Sequence, residues 1–107
     1  MPNYVKLKNK MSLKEIIKEK REEIINIADQ HGAFNLRLFG SVARGEETEQ
    51  SDIDFLIDYD LDKISSWFPS GLVEDLETLL KRRVDVVTIN SLHYLIRDKV
   101  LSEAIVL

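Results

Sequence analysis

Apolar residues return along this chain with two different periods, one helical and one extended, and the changeovers divide it into short alternating elements. Leu13, Ile16, Ile17, Ile24, Ile25 and Ile27 recur at helical spacing behind Ser12-Leu13-Lys14-Glu15, a capping-box pattern with Ser12 as N-cap and Glu15 reaching back. This predicts a helix from residue 12 to about Gln30, ended by His31-Gly32, since glycine commonly follows a helix C-terminus. Phe34 to Phe39 reads as a strand, Gly40-Ser41 as a turn, Val42–Arg44 as a short helical turn and Gly45–Ser51 as a polar loop. Ile53–Tyr59 is a strongly apolar strand with acidic residues at both ends. Asp60–Ser70 is irregular, Leu72–Leu80 an amphipathic helix, Val84–Ile89 a β-branched strand, Leu92–Ser102 a last helix and Ala104–Leu107 a short terminal strand. The order α-β-α-β-α-β-α-(β) sets helices against one small mixed sheet, an α+β fold with α/β-like character.

Composition narrows this little. At 107 residues the chain suits one domain, read as a basic lead-in over 1–11 and a folded unit over 12–107. No apolar run approaches the ~18 residues of a membrane helix, and the lysine-rich start does not read as a signal peptide. With no cysteine, disulfides and thiolate metal sites are excluded, and the default compartment is the cytoplasm. Charge distribution says more. Residues 1–21 carry +5 of a total of −4, leaving −9 on the rest, and 46–62 holds eight acidic residues with no lysine or arginine. Such a block repels polyanions unless cations intervene, so direct nucleic-acid binding is not expected. Lys6, Lys8 and Lys10 read most simply as a solvated tail.

Four features carry chemistry. Gly40-Ser41, between a strand and a helical turn, offers backbone N–H groups and a hydroxyl to an anion such as phosphate, or else is only a turn with a serine cap. Asp52 and Asp54 lie two apart at the head of a strand and share one face. Their mutual repulsion is relieved by a divalent cation, and Mg²⁺ suits one or two carboxylates plus substrate phosphates; the plain alternative is a solvated strand entrance. Asp85 stands inside Val84-Asp85-Val86-Val87-Thr88, where a carboxylate is costly unless satisfied. Either a neighbouring strand brings it to the same site, where three carboxylates would hold two ions, or it faces water from an edge strand. Other candidates are weaker. Asp58-Tyr59-Asp60-Leu61-Asp62 mimics the start of a calcium loop but has Lys63 for the sixth-position glycine and Pro69 for the twelfth-position glutamate. His31 and His93 read as surface or cap residues, and Trp67-Phe68 as cover for a core edge.

The same residues carry a resemblance. Leu38-Phe39-Gly40-Ser41-Val42-Ala43-Arg44-Gly45 followed by Ser51-Asp52-Ile53-Asp54-Phe55-Leu56-Ile57 resembles the signature of the polymerase-β-type nucleotidyltransferase superfamily. More narrowly it resembles the MNT group, minimal nucleotidyltransferases that serve as antitoxins to HEPN-domain ribonuclease toxins. Leu79 to Thr88 and Ile96 to Ala104 are similar to that group as well, so the resemblance spans 12–107. It implies a polymerase-β-type core that uses Mg²⁺, two ions, and ATP. Gly40 and Ser41 would contact the triphosphate. Asp52 and Asp54 would bind the metals, and Asp85 would complete the site and assist deprotonation of the acceptor. Arg44 would touch phosphate or brace the loop. One departure is Lys81, where many relatives have glycine, which bears on helix termination. The implied activity is transfer of AMP to a tyrosine hydroxyl of a HEPN toxin bound in a hetero-oligomer. An antitoxin acting by binding alone, or transfer to a small molecule, are the alternatives. No acceptor-recognition domain is evident beside the core, so a partner is expected to present the acceptor.

Overall fold

A computed structural model describes residues 11–107, so most of the basic lead-in lies outside the described residues. The elements are α1 (Leu13–Glu19), α2 (Arg21–Gln30), β1 (Ala33–Phe39), α3 (Gly40–Arg44), β2 (Ile53–Tyr59), α4 (Ser70–Leu80), β3 (Val84–Thr88), a 3₁₀ turn (Ile89–Ser91), α5 (Tyr94–Glu103) and β4 (Ile105–Val106). The strands form one mixed sheet in the order β3-β2-β1-β4. β1 runs antiparallel to β2 and β4, and β2 runs parallel to β3, the connection from β2 passing through α4.

The expected first helix is two helices. Lys20 interrupts it at φ −96°, ψ 13°, although no glycine or proline lies between residues 13 and 30. Packing accounts for the break: α1 leans on α3 and on the loop after it, where the Leu13 N–H reaches Glu47 at 3.4 Å, while α2 packs on β1 and α4. The capping box at Ser12 forms as expected, its hydroxyl accepting from the Glu15 N–H at 3.2 Å. The third strand ends one residue early. Thr88 instead caps the 3₁₀ turn, accepting from the Ser91 N–H at 3.3 Å.

β2 sorts its side chains between two layers. Ile53, Phe55 and Ile57 are fully buried in the main core, with Ile17, Ile24, Leu38, Leu72 and Leu76 from α1, α2, β1 and α4. Leu56 points the other way, into a smaller cluster with Leu92 and Val100 under α5, joined by Phe39 and Val87. Asp52 and Asp54 alternate with Ile53 and Phe55, which puts them on this thinner, α5 side of the sheet.

α4 ends at Lys81, which adopts the left-handed conformation at φ 55°, ψ 40°. A side chain there costs ~1–2 kcal/mol that glycine would not. Phe68 packs against the core, but Trp67 is 80% exposed, so only one of the two aromatics covers the core edge. His93 caps α5, its Nδ1 accepting from the Leu95 N–H at 3.2 Å, and His31 follows α2 and pairs with Asp75 at 2.7 Å.

Candidate active site

Strand pairing assembles the site. β1 and β2 place Phe39 opposite Asp54, so the next residue, Gly40, returns to Asp54 although α3 and the polar loop intervene in sequence. β2 and β3 place Asp54 opposite Asp85. Asp52 comes two residues earlier on the same face. The structure therefore brings Gly40, Asp52, Asp54 and Asp85 to one end of the sheet.

The fit of Gly40 against Asp54 is tight. Gly40 has φ +76°, and a Cβ built there would overlap Asp54 Oδ2 and come within 3.1 Å of Cγ. Only glycine satisfies both the backbone conformation and the close approach. This is more than a strand–helix turn requires. The N-cap of α3 is Phe39, which has no capping side chain, so the serine cap of the plainer alternative does not form. Among the described residues the Ser41 hydroxyl makes no hydrogen bond and stays available. α3 has only five residues and contributes little macrodipole, so its individual N–H groups are what an anion would meet.

Asp54 is half-buried and its pKa is pushed up to about 6, first by burial, then by the charges of Asp85 and Asp52; Arg44 opposes the rise and Glu103 adds slightly to it. Asp52 Oδ1 stands 3.1 Å from Arg83 Nε, but the N–H is not aligned on it, and among the described residues this buried oxygen has no hydrogen-bond partner. Asp85 has the setting of the plainer alternative. It is exposed, on edge strand β3, so water already solvates it and no burial cost argues for a ligand. What ties it to the site is its register with Asp54.

Arg44 donates from Nε to Glu46 at 3.2 Å and from Nη1 to both carboxylate oxygens of Glu103, at 3.2 and 3.1 Å. Here it braces the loop after α3 and the end of α5, and the Glu103 hydrogen bond is the main cause of its raised pKa. Glu103 also accepts from the Gly40 N–H at 3.4 Å. The sequence reading missed this residue. A signal existed: a carboxylate in the last turn of a helix opposes the macrodipole, so it calls for compensation from elsewhere in the fold.

Among the described residues no three histidine, aspartate or glutamate side chains converge as a ligand set for one ion, so no all-protein metal cage stands ready. That suits an ion such as Mg²⁺, which takes one or two carboxylates and completes its shell with phosphate and water. The unpartnered Asp52 Oδ1 and the charge-crowded Asp54 are the groups such an ion would relieve.

Residues 10–107 match the family model of the nucleotidyltransferase domain. The chain belongs to this family. The enzyme is 42% identical over 89 residues to a candidate protein adenylyltransferase of Methanocaldococcus jannaschii, covering 83% of this chain and 95% of that one. It is 39% identical over 80 residues to the protein adenylyltransferase MntA of Thermococcus cleftensis, covering 74% and 79% of the two chains. A solved minimal nucleotidyltransferase superposes with a TM-score of 0.77 at 40% identity, over 92% of this chain and 98% of that one. A toxin–antitoxin complex of MntA and HpeT superposes with a TM-score of 0.63 at 25% identity, over 81% and 70%. The four-stranded mixed sheet with flanking helices is thus the fold of a minimal nucleotidyltransferase of the MNT type. No helix among the described residues is long and apolar enough to cross a membrane.

Proposed function

We propose that this nucleotidyltransferase is an antitoxin that transfers AMP from ATP to a tyrosine hydroxyl of a cognate HEPN ribonuclease toxin and so silences it. The observation that carries the reading is the glycine pressed against Asp54 with Asp85 in register beside it. That arrangement puts backbone N–H groups, suited to phosphate, against paired carboxylates, suited to Mg²⁺. The names of its relatives, protein adenylyltransferases and an antitoxin bound to its toxin, supply the acceptor class.

In this reading the Gly40 N–H and the Ser41 hydroxyl bind triphosphate oxygens, and Arg44 adds a cation at the same end. Asp52 and Asp54 would hold two Mg²⁺ ions, with Asp85 completing the set. Bound Mg²⁺ would neutralise the triphosphate and the acidic cluster, so that two polyanions can meet. The acceptor phenol has an ordinary pKa near ~10, so Asp85, exposed at the sheet edge, takes its proton. The phenolate oxygen bonds to the α-phosphorus, the bond to the β-phosphate oxygen breaks, and pyrophosphate leaves. Docking of toxin on antitoxin supplies the alignment of acceptor and nucleotide.

The test is to mix purified protein, its HEPN partner, ATP and Mg²⁺ and to weigh the intact partner by mass spectrometry. One or more AMP units on a tyrosine, absent with the Asp52→Ala/Asp54→Ala double variant, is the expected result. A partner that stays unmodified yet is inhibited by that double variant would show neutralisation by occlusion and overturn the enzymatic reading.

A further inference from the structure

Glu103 is a fourth carboxylate at this end of the sheet, and it sits on groups that the nucleotide needs. It accepts from the Gly40 N–H and, with both oxygens, from Arg44 Nη1. Its side chain is 17% exposed, against 39% for Arg44. Its charge reaches Asp54, where it opposes ionisation. Nothing in α5 requires a carboxylate there, because the helix dipole disfavours one in the last turn. α5 is otherwise held by few buried groups, chiefly Leu92 and Val100 under it, while Tyr94, Leu95 and Ile96 face solvent.

We propose that Glu103 is a stand-in anion: its carboxylate holds the Gly40 N–H and Arg44 until nucleotide phosphate displaces it from them. This rests on the nucleotide-binding reading above and deepens it. The Gly40 N–H has one hydrogen, so a carboxylate and a phosphate oxygen cannot both take it fully. The present bond, at 3.4 Å, is long and easily given up. Arg44 is charged throughout, so either anion satisfies it. Glu103 is therefore a positioning residue with an opposite face: it keeps the phosphate-binding groups in place, lowers affinity for the incoming anion, and releases the end of α5 when that anion binds.

The experiment is calorimetric titration of MgATP, and separately of inorganic pyrophosphate, into wild type, Glu103→Gln, Arg44→Ala and the double variant. Glu103→Gln keeps the shape and removes the competing charge, so both ligands should bind roughly 3- to 10-fold more tightly, the range of a partly exposed charge-assisted contact. In the Arg44→Ala background the gain should fall below about twofold, since the contested cation is gone. Unchanged or weakened binding in Glu103→Gln overturns the proposal, because a purely structural brace would only lose affinity when removed. Hydrogen exchange on the wild type gives a check that needs no variant. Pyrophosphate should speed amide exchange over residues 101–104, and slowing there overturns the proposal. A wild type that binds neither ligand would remove the nucleotide reading and this inference together. Binding that Glu103→Gln fails to tighten would remove this inference alone.

Discussion

Asp54→Asn should make the cation-free protein more stable at neutral pH while abolishing most nucleotidyl transfer. The Asp54 carboxyl moves from 3.8 to about 6 on folding. A carboxyl whose folded pKa lies above its unfolded value binds protons better in the native state. Stability therefore falls as pH rises from about 4 to about 6, and the loss is complete above that. At ~1.4 kcal/mol for each pH unit the ceiling is ~3 kcal/mol. Asp54 is half open to solvent, and screening brings the expected cost to ~1 kcal/mol. Asparagine keeps the shape without the charge, and among the described residues Asp54 makes no hydrogen bond to lose. Urea denaturation in excess chelator, at pH 7.5 and at pH 4, measures the difference. The variant should be the more stable by ~1 kcal/mol at pH 7.5 and no more stable at pH 4. Added Mg²⁺ should stabilise wild type more than the variant. A variant that is less stable at pH 7.5, or a gap that is the same at both pH values, would refute the electrostatic account of this site.

Gly40→Ala should lose at least on the order of 10²-fold in transfer rate and ~2 kcal/mol in stability, from its positive φ and the overlap with Asp54, as read by radiolabelled AMP transfer and thermal melts. Asp85→Asn should leave stability within ~0.5 kcal/mol, because the residue is exposed, yet reduce transfer on the order of 10²-fold or more; equal losses in both would assign it a structural role. Lys81→Gly should raise stability by ~1 kcal/mol in the same melts without changing the transfer rate. Mg²⁺ affinity of the nucleotide-free protein should weaken as pH falls through about 6, because protons then compete for Asp54; titration calorimetry across pH 5 to 8 (an interval of ~3 pH units) reads it, and a flat profile would place the ion elsewhere.

The order of elements was legible because β2 and α4 carry strong, opposite periodicities and because Gly32, Gly40 and Gly45 punctuate the chain where positive φ is needed. The break at Lys20 was not, since it depends on what α1 and α2 lean against rather than on their own residues. Asp52 and Asp54 could be paired from strand geometry alone. Asp85 could be placed beside them only by the parallel register, and the reason offered from sequence, a carboxylate inside an apolar strand, fails because edge strand β3 leaves it wet. The acidic block at 46–62 looked uncompensated when read along the chain. In the fold, Arg44 reaches Glu46 from two residues away, while Arg37 reaches Asp58 and Arg83 reaches Asp52 from far along the chain, contacts that no local pattern reveals. The partners of Glu103 were hidden for the same reason: it meets Gly40 and Arg44 across the structure, and its place in a last helical turn said only that it needed compensation.

The alternation of β2 also divides the ways this protein can change length. Ile53, Phe55 and Ile57 belong to one side of the sheet, and Asp52, Asp54 and Leu56 to the other. One residue inserted inside β2 would reverse the facing of every position on one side of the insertion relative to the other, so the carboxylates and the core residues could no longer all keep their sides. The site is thus written in the parity of the strand. One residue added to the exposed stretch between Gly45 and Gln50 would leave that parity intact. A change of length in that loop should therefore disturb the facing of the carboxylates less than the same change inside β2.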